Sequence, residues 1–344
     1  MSDERTRMGR AGRWLGSGVA PVGAAALVLS LSALAAEPVA HFVDVGDGVK
    51  LEVLDWGGTG RAVILLAGSG DTGHVYEDFA PKLADCCHVY AITRRGYGAS
   101  SKPERGYSVP DLAEDTFRVM QSLKIVKPVL VGHSMAGSEL SFLGQRVSPE
   151  LGGLIYLDAN ADPADFPWSN AEYRQLVTKL NKGNPAPPRP MASDKTSVAA
   201  YRAYQVRTGG YAFPAGEIRS LFEINSDGSL GKWRTPAYVG REIDLGSIRK
   251  EYGGIAVPVL ALVAVQRPIA GQLKEHPAAD EQERADKTRL YELEMEFIRR
   301  WESNLKKAVP SARIVEMPGA HHYLFLAEEA EILREIRPFL SDLK

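Results

Sequence analysis

Residues 127–140 read KPVLVGHSMAGSEL. A run of β-forming residues stops at Gly132-His133-Ser134, and small, helix-compatible residues follow at once. A serine between a strand and a helix, with a small residue two positions to either side, can be carried on a very sharp turn. Gly132 and Ala136 are the two small residues, and a large side chain at either place would collide across the turn. The turn lifts the Ser134 hydroxyl clear of the sheet as a nucleophile. It also points the N–H of Met135 at the oxygen of a reacting carbonyl, above the positive end of a helix dipole. A serine at a helix start can also be a plain N-cap. The strand before it and the helix after it favour the nucleophile.

Such a hydroxyl needs a base within reach and an acid behind the base. Of the seven histidines, His321 and His322 lie in MPGAHHYLFL, between the last strand pattern and the last helix. A loop there keeps a base movable yet aimed. His133 belongs beneath the turn. His74, in a glycine-rich loop, reads as a residue of the pocket mouth or as a brace of that loop. For the acid, Asp158 ends the strand pattern LIYLDANAD. The strand pattern VPVLALVA is followed by Val265-Gln266-Arg267-Pro268, without a carboxylate. Glu275 and Asp280 lie further along in what reads as a loop, and Asp162 follows closely behind Asp158.

These candidates fall at the ends of elements whose order the sequence suggests. Residues 41–67 hold β patterns around Gly46-Asp47-Gly48, a hairpin signal. The apolar run AVILLA suits a strand buried on both faces, and it leads into GSGDTG. HVYEDFAPKLAD has a helical rhythm, HVYAIT is a strand, and RRGYGASS is a loop. DLAEDTFRVMQSLKI sets Leu112, Phe117, Met120 and Leu123 at helical spacing. PVLVG, LGGLIYLDA, VPVLALVA and ARIVEM are further strands, with a helix from Met135 to about Arg146 and a last helix LAEEAEILREIRPFL. This alternation predicts an α/β fold with a mostly parallel sheet and right-handed crossovers. Residues 160–253 interrupt it with aromatic-rich helical pieces and the spacer NPAPPRP. They read as a helical cap over the strand C-termini, the edge where open α/β sheets bind ligands. The expected division is a core of residues 36–159 and 254–344 with the cap at 160–253.

The chain has 344 residues, 44% hydrophobic and 24% charged, with a formal net charge of −2. That balance describes an ordinary globular protein and offers no basic footprint for nucleic acid. Residues 1–35 combine Arg5, Arg7, Arg10 and Arg13 with the apolar run VGAAALVLSLSALAA and Ala33-Leu34-Ala35, the grammar of an export signal. The run is short for a membrane span, which takes roughly 20 residues. The expectation is a periplasmic or secreted protein with no stable membrane association after cleavage, or one anchored by an uncleaved N-terminus. The only cysteines, Cys86 and Cys87, are neighbours; adjacent cysteines bridge only under strain, so they read as small buried hydrophobes. No metal-ligand spacing is present.

Together the GHSMAG turn, the RRGYGASS loop, LLAGSGDTG and MPGAHHYLFL resemble the α/β-hydrolase superfamily over nearly all of residues 40–344. The resemblance implies an α/β-hydrolase fold and a chain order Ser134…Asp158…His322, with His322 rather than His321 as the base. Asp158 matches the acid position of a subset of the superfamily. Ser69 would supply the second oxyanion N–H beside Met135, and Gly68, Gly70 and His74 would line the substrate. The sequence departs from the family pattern at Ala136, usually glycine, and at Ala67-Gly68, commonly His-Gly. Serine at the turn separates the chain from the dehalogenases and epoxide hydrolases of this fold, which attack through a carboxylate. The reading is an esterase-like serine hydrolase acting on a small-molecule ester without metal or cofactor. Peptidase or amidase, C–C hydrolase and acyltransferase chemistry are alternatives on the same site. A peptidase reading a free N-terminus would draw on Glu172, Glu217 or Glu223. A non-catalytic binding protein of the same fold is the remaining alternative. Trp168, Tyr173, Tyr201, Tyr204, Tyr211, Phe213, Phe222, Trp233 and Tyr238 suggest a partly apolar cap.

Overall fold

The computed structural model describes residues 37–160, 162, 167–182 and 188–343. The expected leader, residues 1–35, lies outside them. The chain opens with a hairpin, β1 (Val39–Asp44) and β2 (Lys50–Asp55), closed by Gly46, Asp47 and Gly48, all at positive φ. β3 (Arg61–Leu66), β4 (Cys87–Ile92), β5 (Val129–His133), β6 (Gly153–Leu157), β9 (Val259–Val265) and β10 (Arg313–Pro318) complete one eight-stranded sheet. Its order is β1-β2-β4-β3-β5-β6-β9-β10. β2 runs antiparallel to both neighbours, and all later pairs are parallel.

Every residue of β5, β6 and β9 is buried, which is why these segments are continuous apolar runs rather than alternating ones. Successive side chains enter opposite layers. Leu65, Val131, Ile155 and Leu262 join one apolar cluster, and Leu66, Leu130, Leu154 and Val263 join the other. Each such side chain contributes roughly 1.5–3 kcal/mol on burial. α10 (Glu329–Asp342) covers the first face with Ile332, Ile336 and Leu340. α1 (Val109–Ser122), α2 (Ala136–Arg146) and the 28-residue α8 (Glu281–Ala308) cover the second.

Residues 160–253 contain α3 (Ala171–Leu180), α4 (Val198–Gly209), α5 (Ala215–Leu221), the hairpin β7 (Phe222–Ile224) and β8 (Leu230–Trp233), and α6 (Ala237–Leu245). The segment is not a separate layer throughout. Tyr201, Tyr204, Phe213, Ile218 and Leu221 belong to the cluster under the sheet. α3 packs sideways on α8, with the Tyr173 hydroxyl donating to Glu294 at 2.9 Å.

Two expectations need correction. The helical rhythm at residues 74–85 resolves into short 3-10 turns, Gly73–Tyr76 and Ala80–Leu83. Pro81 lacks an N–H and restricts the residue before it, so a continuous helix cannot run through. The stretch after β9 is not an open loop either. It forms α7 (Ile269–Glu275), and Asp280 caps α8 by accepting from the Glu283 N–H at 2.7 Å.

Candidate active site

Ser134 follows the last residue of β5 and has φ +54°, in the left-handed region. The sharpness of this turn explains its neighbours. A Cβ on Gly132 would come within 2.7 Å of Leu140 Cδ1 and 3.1 Å of Ala136 Cβ. A Cβ on Gly137 would meet the Ala159 carbonyl at 2.3 Å. Ala136 is thus near the upper limit of size on its side of the turn. The Ser134 N–H donates to the Leu157 carbonyl at 3.2 Å, which ties the turn to the end of β6.

Asp158 follows β6 directly, also at positive φ, +42°. Its own N–H donates to Leu262 O at 2.8 Å, and its Oδ1 accepts the Ala264 N–H at 3.0 Å. Both contacts fasten it to β9. The other oxygen, Oδ2, lies 2.6 Å from His322 Nδ1, and His322 Nε2 lies 3.1 Å from Ser134 Oγ. His322 sits past β10 on a turn opened by Gly319, whose N–H donates to Val265 O at 2.7 Å. Serine, imidazole and carboxylate therefore stand in a chain across the C-terminal ends of β5, β10 and β6. Burial alone would lower the His322 pKa. The hydrogen bond and charge of Asp158, with Asp71 beyond, outweigh it and leave the pKa above its usual value.

The surrounding histidines hold this ring from beneath and beside. His133 Nε2 donates to the His322 carbonyl at 3.0 Å, and the two rings lie 4.6 Å apart. Burial, and then His322, keep the His133 pKa well below normal, so it remains a neutral prop. His321 accepts the Tyr323 N–H at 3.0 Å and lies against Tyr211, 4.4 Å between centroids. Burial and the neighbouring His322 depress its pKa to about 4. The structure brings His322, not His321, to the serine.

The other carboxylates considered for the acid are engaged elsewhere. Asp162 accepts the Lys250 N–H at 3.2 Å. Glu275 holds Arg267 by two bonds of 2.9 and 2.8 Å, and Asp280 is the α8 cap. His74 is also turned away from the serine. Its Nδ1 and Nε2 face Glu77 at 2.7 Å and Glu52 at 3.4 Å. Burial opposes its charge, but the two carboxylates raise its pKa to about 10, so it braces the loop after β3.

In that loop, Gly68 has no room for a side chain: a Cβ there would stand 2.8 Å from His133 Nδ1. Gly70 needs its φ of +90°. Ser69 lies between them, exposed. Among the described residues, neither the Ser69 nor the Met135 amide donates to another protein group.

Among the described residues, 160–253 reach the site at three places. Tyr211 stacks on Tyr323 and Phe213 meets it edge-on, each at 5.1 Å. Val239 and Ile243 of α6 pack in the cluster that Met135 borders. Glu217 of α5, fully buried, accepts the Thr72 N–H at 3.0 Å and bonds its hydroxyl. Burial and the nearby Asp71 push the Glu217 pKa well above the normal carboxylate range. Asp71 itself accepts from the Tyr323 hydroxyl at 2.9 Å. The sequence does not mark Asp71, Tyr323 or Glu217 as braces of the site, because each contact spans more than a hundred residues and leaves no local pattern. Among the described residues, no group of three or more His, Cys, Asp or Glu side chains is set to hold a metal.

The profile of the alpha/beta hydrolase family matches residues 63–335. The 2-(acetamidomethylene)succinate hydrolase of Mesorhizobium japonicum is 31% identical over 113 residues, 33% of this chain and 40% of that protein. A fluoroacetate dehalogenase of a Burkholderia species is 38% identical over 102 residues, 28% of this chain and 33% of that protein. The matched segments thus span less than half the length of these curated relatives. Among solved structures, an E-2-(acetamidomethylene)succinate hydrolase superposes with a TM-score of 0.60 at 20% identity, covering 88% of this chain and 99% of that one. At that identity the likeness concerns the fold.

Proposed function

The chain belongs to the alpha/beta hydrolase family, and from that premise we propose that it is a serine hydrolase cleaving a carboxylic ester or a related acyl bond. The observation that carries this reading is the unbroken chain Ser134 Oγ, His322 Nε2, His322 Nδ1, Asp158 Oδ2, with gaps of 3.1 and 2.6 Å. His322 takes the hydroxyl proton as Ser134 attacks the acyl carbon, and Asp158 holds the imidazole in the tautomer with Nδ1 protonated. The negative oxygen of the tetrahedral intermediate is received by the Ser69 and Met135 amides, both without a protein acceptor among the described residues. His322 then protonates the leaving group, and water repeats the sequence on the acyl-enzyme. Residues 160–253 act as the cap, with Tyr211 and Phe213 beside the base loop making the acyl pocket partly apolar.

The test is a panel of p-nitrophenyl esters of increasing chain length, run beside aminoacyl-anilides and lactones. It is paired with fluorophosphonate labelling of the parent and Ser134→Ala. Turnover of esters and label on the parent alone support the reading. Hydrolysis retained by purified Ser134→Ala removes it, and turnover of anilides only moves it to amidase chemistry.

A further inference from the structure

Arg94 follows β4 by two positions, and Glu139 lies on α2. Their side chains are almost wholly buried, 5% and 2% exposed. Arg94 Nε and Nη2 both donate to Glu139 Oε1, at 2.9 and 2.6 Å. The same guanidinium also donates from Nη2 to the Ala67 carbonyl at 2.8 Å and from Nη1 to the Gly68 carbonyl at 3.3 Å. It therefore spans from the helix that begins beside Ser134 to the loop that leaves β3. We propose that the Arg94–Glu139 pair positions the oxyanion hole, holding the Ser69 and Met135 amides at a fixed spacing and direction. This rests on the serine-hydrolase reading above.

The physical argument has three parts. First, the Gly68 carbonyl and the Ser69 N–H belong to one planar trans peptide, so they point in opposite directions. A donor that grips the carbonyl fixes where the amide is aimed. Second, Glu139 and Met135 are four residues apart at the start of α2, on one face of the helix. Tying Glu139 to the loop ties the second amide to the first. Third, stability alone does not call for such a pair. Two charges taken out of water lose their hydration, and well-packed apolar residues often serve stability as well or better. What an apolar pair cannot do is hydrogen-bond the two carbonyls.

Position 67 is an alanine, whose side chain has no donor to brace the loop. Arg94 supplies donors from the segment after β4. The next residue, Arg95, grips Asp115 of α1 by two bonds, 2.6 and 2.5 Å. The segment between β4 and α1 thus anchors two successive arginines, Arg94 to α2 and the loop after β3 and Arg95 to α1.

The test compares the full chain with Arg94→Met, Glu139→Gln and the double variant Arg94→Leu/Glu139→Leu. The readouts are kcat and KM on a p-nitrophenyl ester, thermal midpoint, and affinity for phenylboronic acid. The boronate adduct on Ser134 is a tetrahedral anion and reports the oxyanion hole directly. Losing one oxyanion donor outright costs about 10²–10³ in kcat, so a mispositioned one is expected to cost about 10- to 100-fold. Boronate affinity should fall in parallel with kcat, while KM changes by less than about threefold. The double variant should recover the thermal midpoint lost in Arg94→Met, yet stay slow and bind boronate poorly. It carries the test if a single variant fails to fold. Folded variants that bind boronate as tightly as the parent overturn the proposal. So does a double variant that regains both stability and kcat, since the pair would then be structural only. If the parent itself forms no adduct at Ser134, the serine-hydrolase reading fails first. A parent adduct with unaffected variants sinks the positioning role alone.

Discussion

Replacing Asp158 by Asn is predicted to be more damaging than truncating it to Ala. The two carboxylate oxygens face different donors: Oδ1 accepts the Ala264 N–H at 3.0 Å, and Oδ2 faces His322 Nδ1 at 2.6 Å. Asn has only one oxygen. If that oxygen keeps the Ala264 N–H, the amide NH₂ faces Nδ1, which must then accept. The imidazole proton moves to Nε2, and Nε2 can no longer take the Ser134 proton across 3.1 Å. If the amide flips, its NH₂ meets the buried Ala264 N–H, donor against donor. An unmet buried donor costs about 1–3 kcal/mol, which leaves the productive tautomer roughly 10- to 100-fold underpopulated. Loss of the carboxylate charge opposite the imidazolium adds to this, for a total fall in kcat on the order of 10³–10⁴. Ala loses the charge but forces no tautomer, so it should be the faster variant by about tenfold. Asn tolerates positive φ better than most residues, so the φ of +42° at this position should not unfold it. The assay is kcat against pH on a p-nitrophenyl ester, with thermal melts as the control. Asp158 raises the His322 pKa. The acid limb of the parent should therefore have its midpoint above the ordinary histidine value of 6.5, and both variants should move it down. An Asn variant within about tenfold of the parent, or faster than Ala, would refute the reasoning.

Three further outcomes follow from the same geometry. His322→Ala should lower kcat by about 10³ or more, whereas His321→Ala should be mild, since the His321 ring accepts the Tyr323 N–H and packs on Tyr211 while His322 faces the serine; a reversed ranking in kcat would displace His322 as the base. Lys250 donates to the Ala159 carbonyl at 2.7 Å, and burial, against the pull of Asp162 and Asp158, lowers its pKa from 10.5 to about 7. Between those values the unfolded chain binds the proton that the folded chain gives up. Stability should therefore rise with pH, by up to about 1.4 kcal/mol per unit. Urea unfolding at several pH values should show this slope in the parent and not in Lys250→Met; equal slopes would mean Lys250 stays charged. Gly137→Ala places a methyl 2.3 Å from the Ala159 carbonyl. It should cost about 1–3 kcal/mol and lower kcat by disturbing the neighbouring Asp158. A melt unchanged from the parent would contradict the close approach.

What the sequence made legible was local. A buried parallel strand is an apolar run, and a nucleophile turn is a serine with small neighbours; both signals sit within ten residues. The strand-end position of Asp158 could be argued for the same reason. Every parallel strand brings its C-terminus to one edge, so an acid after β6 and a base after β10 can meet. The short 3-10 turns after β3 mimic a helix in the sequence because apolar spacing alone does not register what Pro81 does to the backbone. α7 and α8 leave a weaker pattern, because α8 is rich in charge and its core-facing residues Met295, Phe297, Ile298, Trp301 and Leu305 are sparse within it.

The contacts that aim the site were invisible for a different reason. Thr72 and Glu217 are 145 residues apart, Asp71 and Tyr323 252, and Arg94 and Glu139 45. Each partner alone is an ordinary polar residue in a loop or helix, with nothing local to mark its role at the site. An arginine beside another arginine in RRGYGASS reads as a solvated charge, and a glutamate in MAGSEL as an ordinary helix former. Burial reverses both readings, because a charge that deep must be paired. The reacting groups have to occupy particular backbone positions, and those positions leave local patterns. The groups that hold the reacting atoms need only arrive from somewhere in the fold with the right donor. In this chain the donor that reaches the Ala67 and Gly68 carbonyls comes from the segment after β4 rather than from the loop itself.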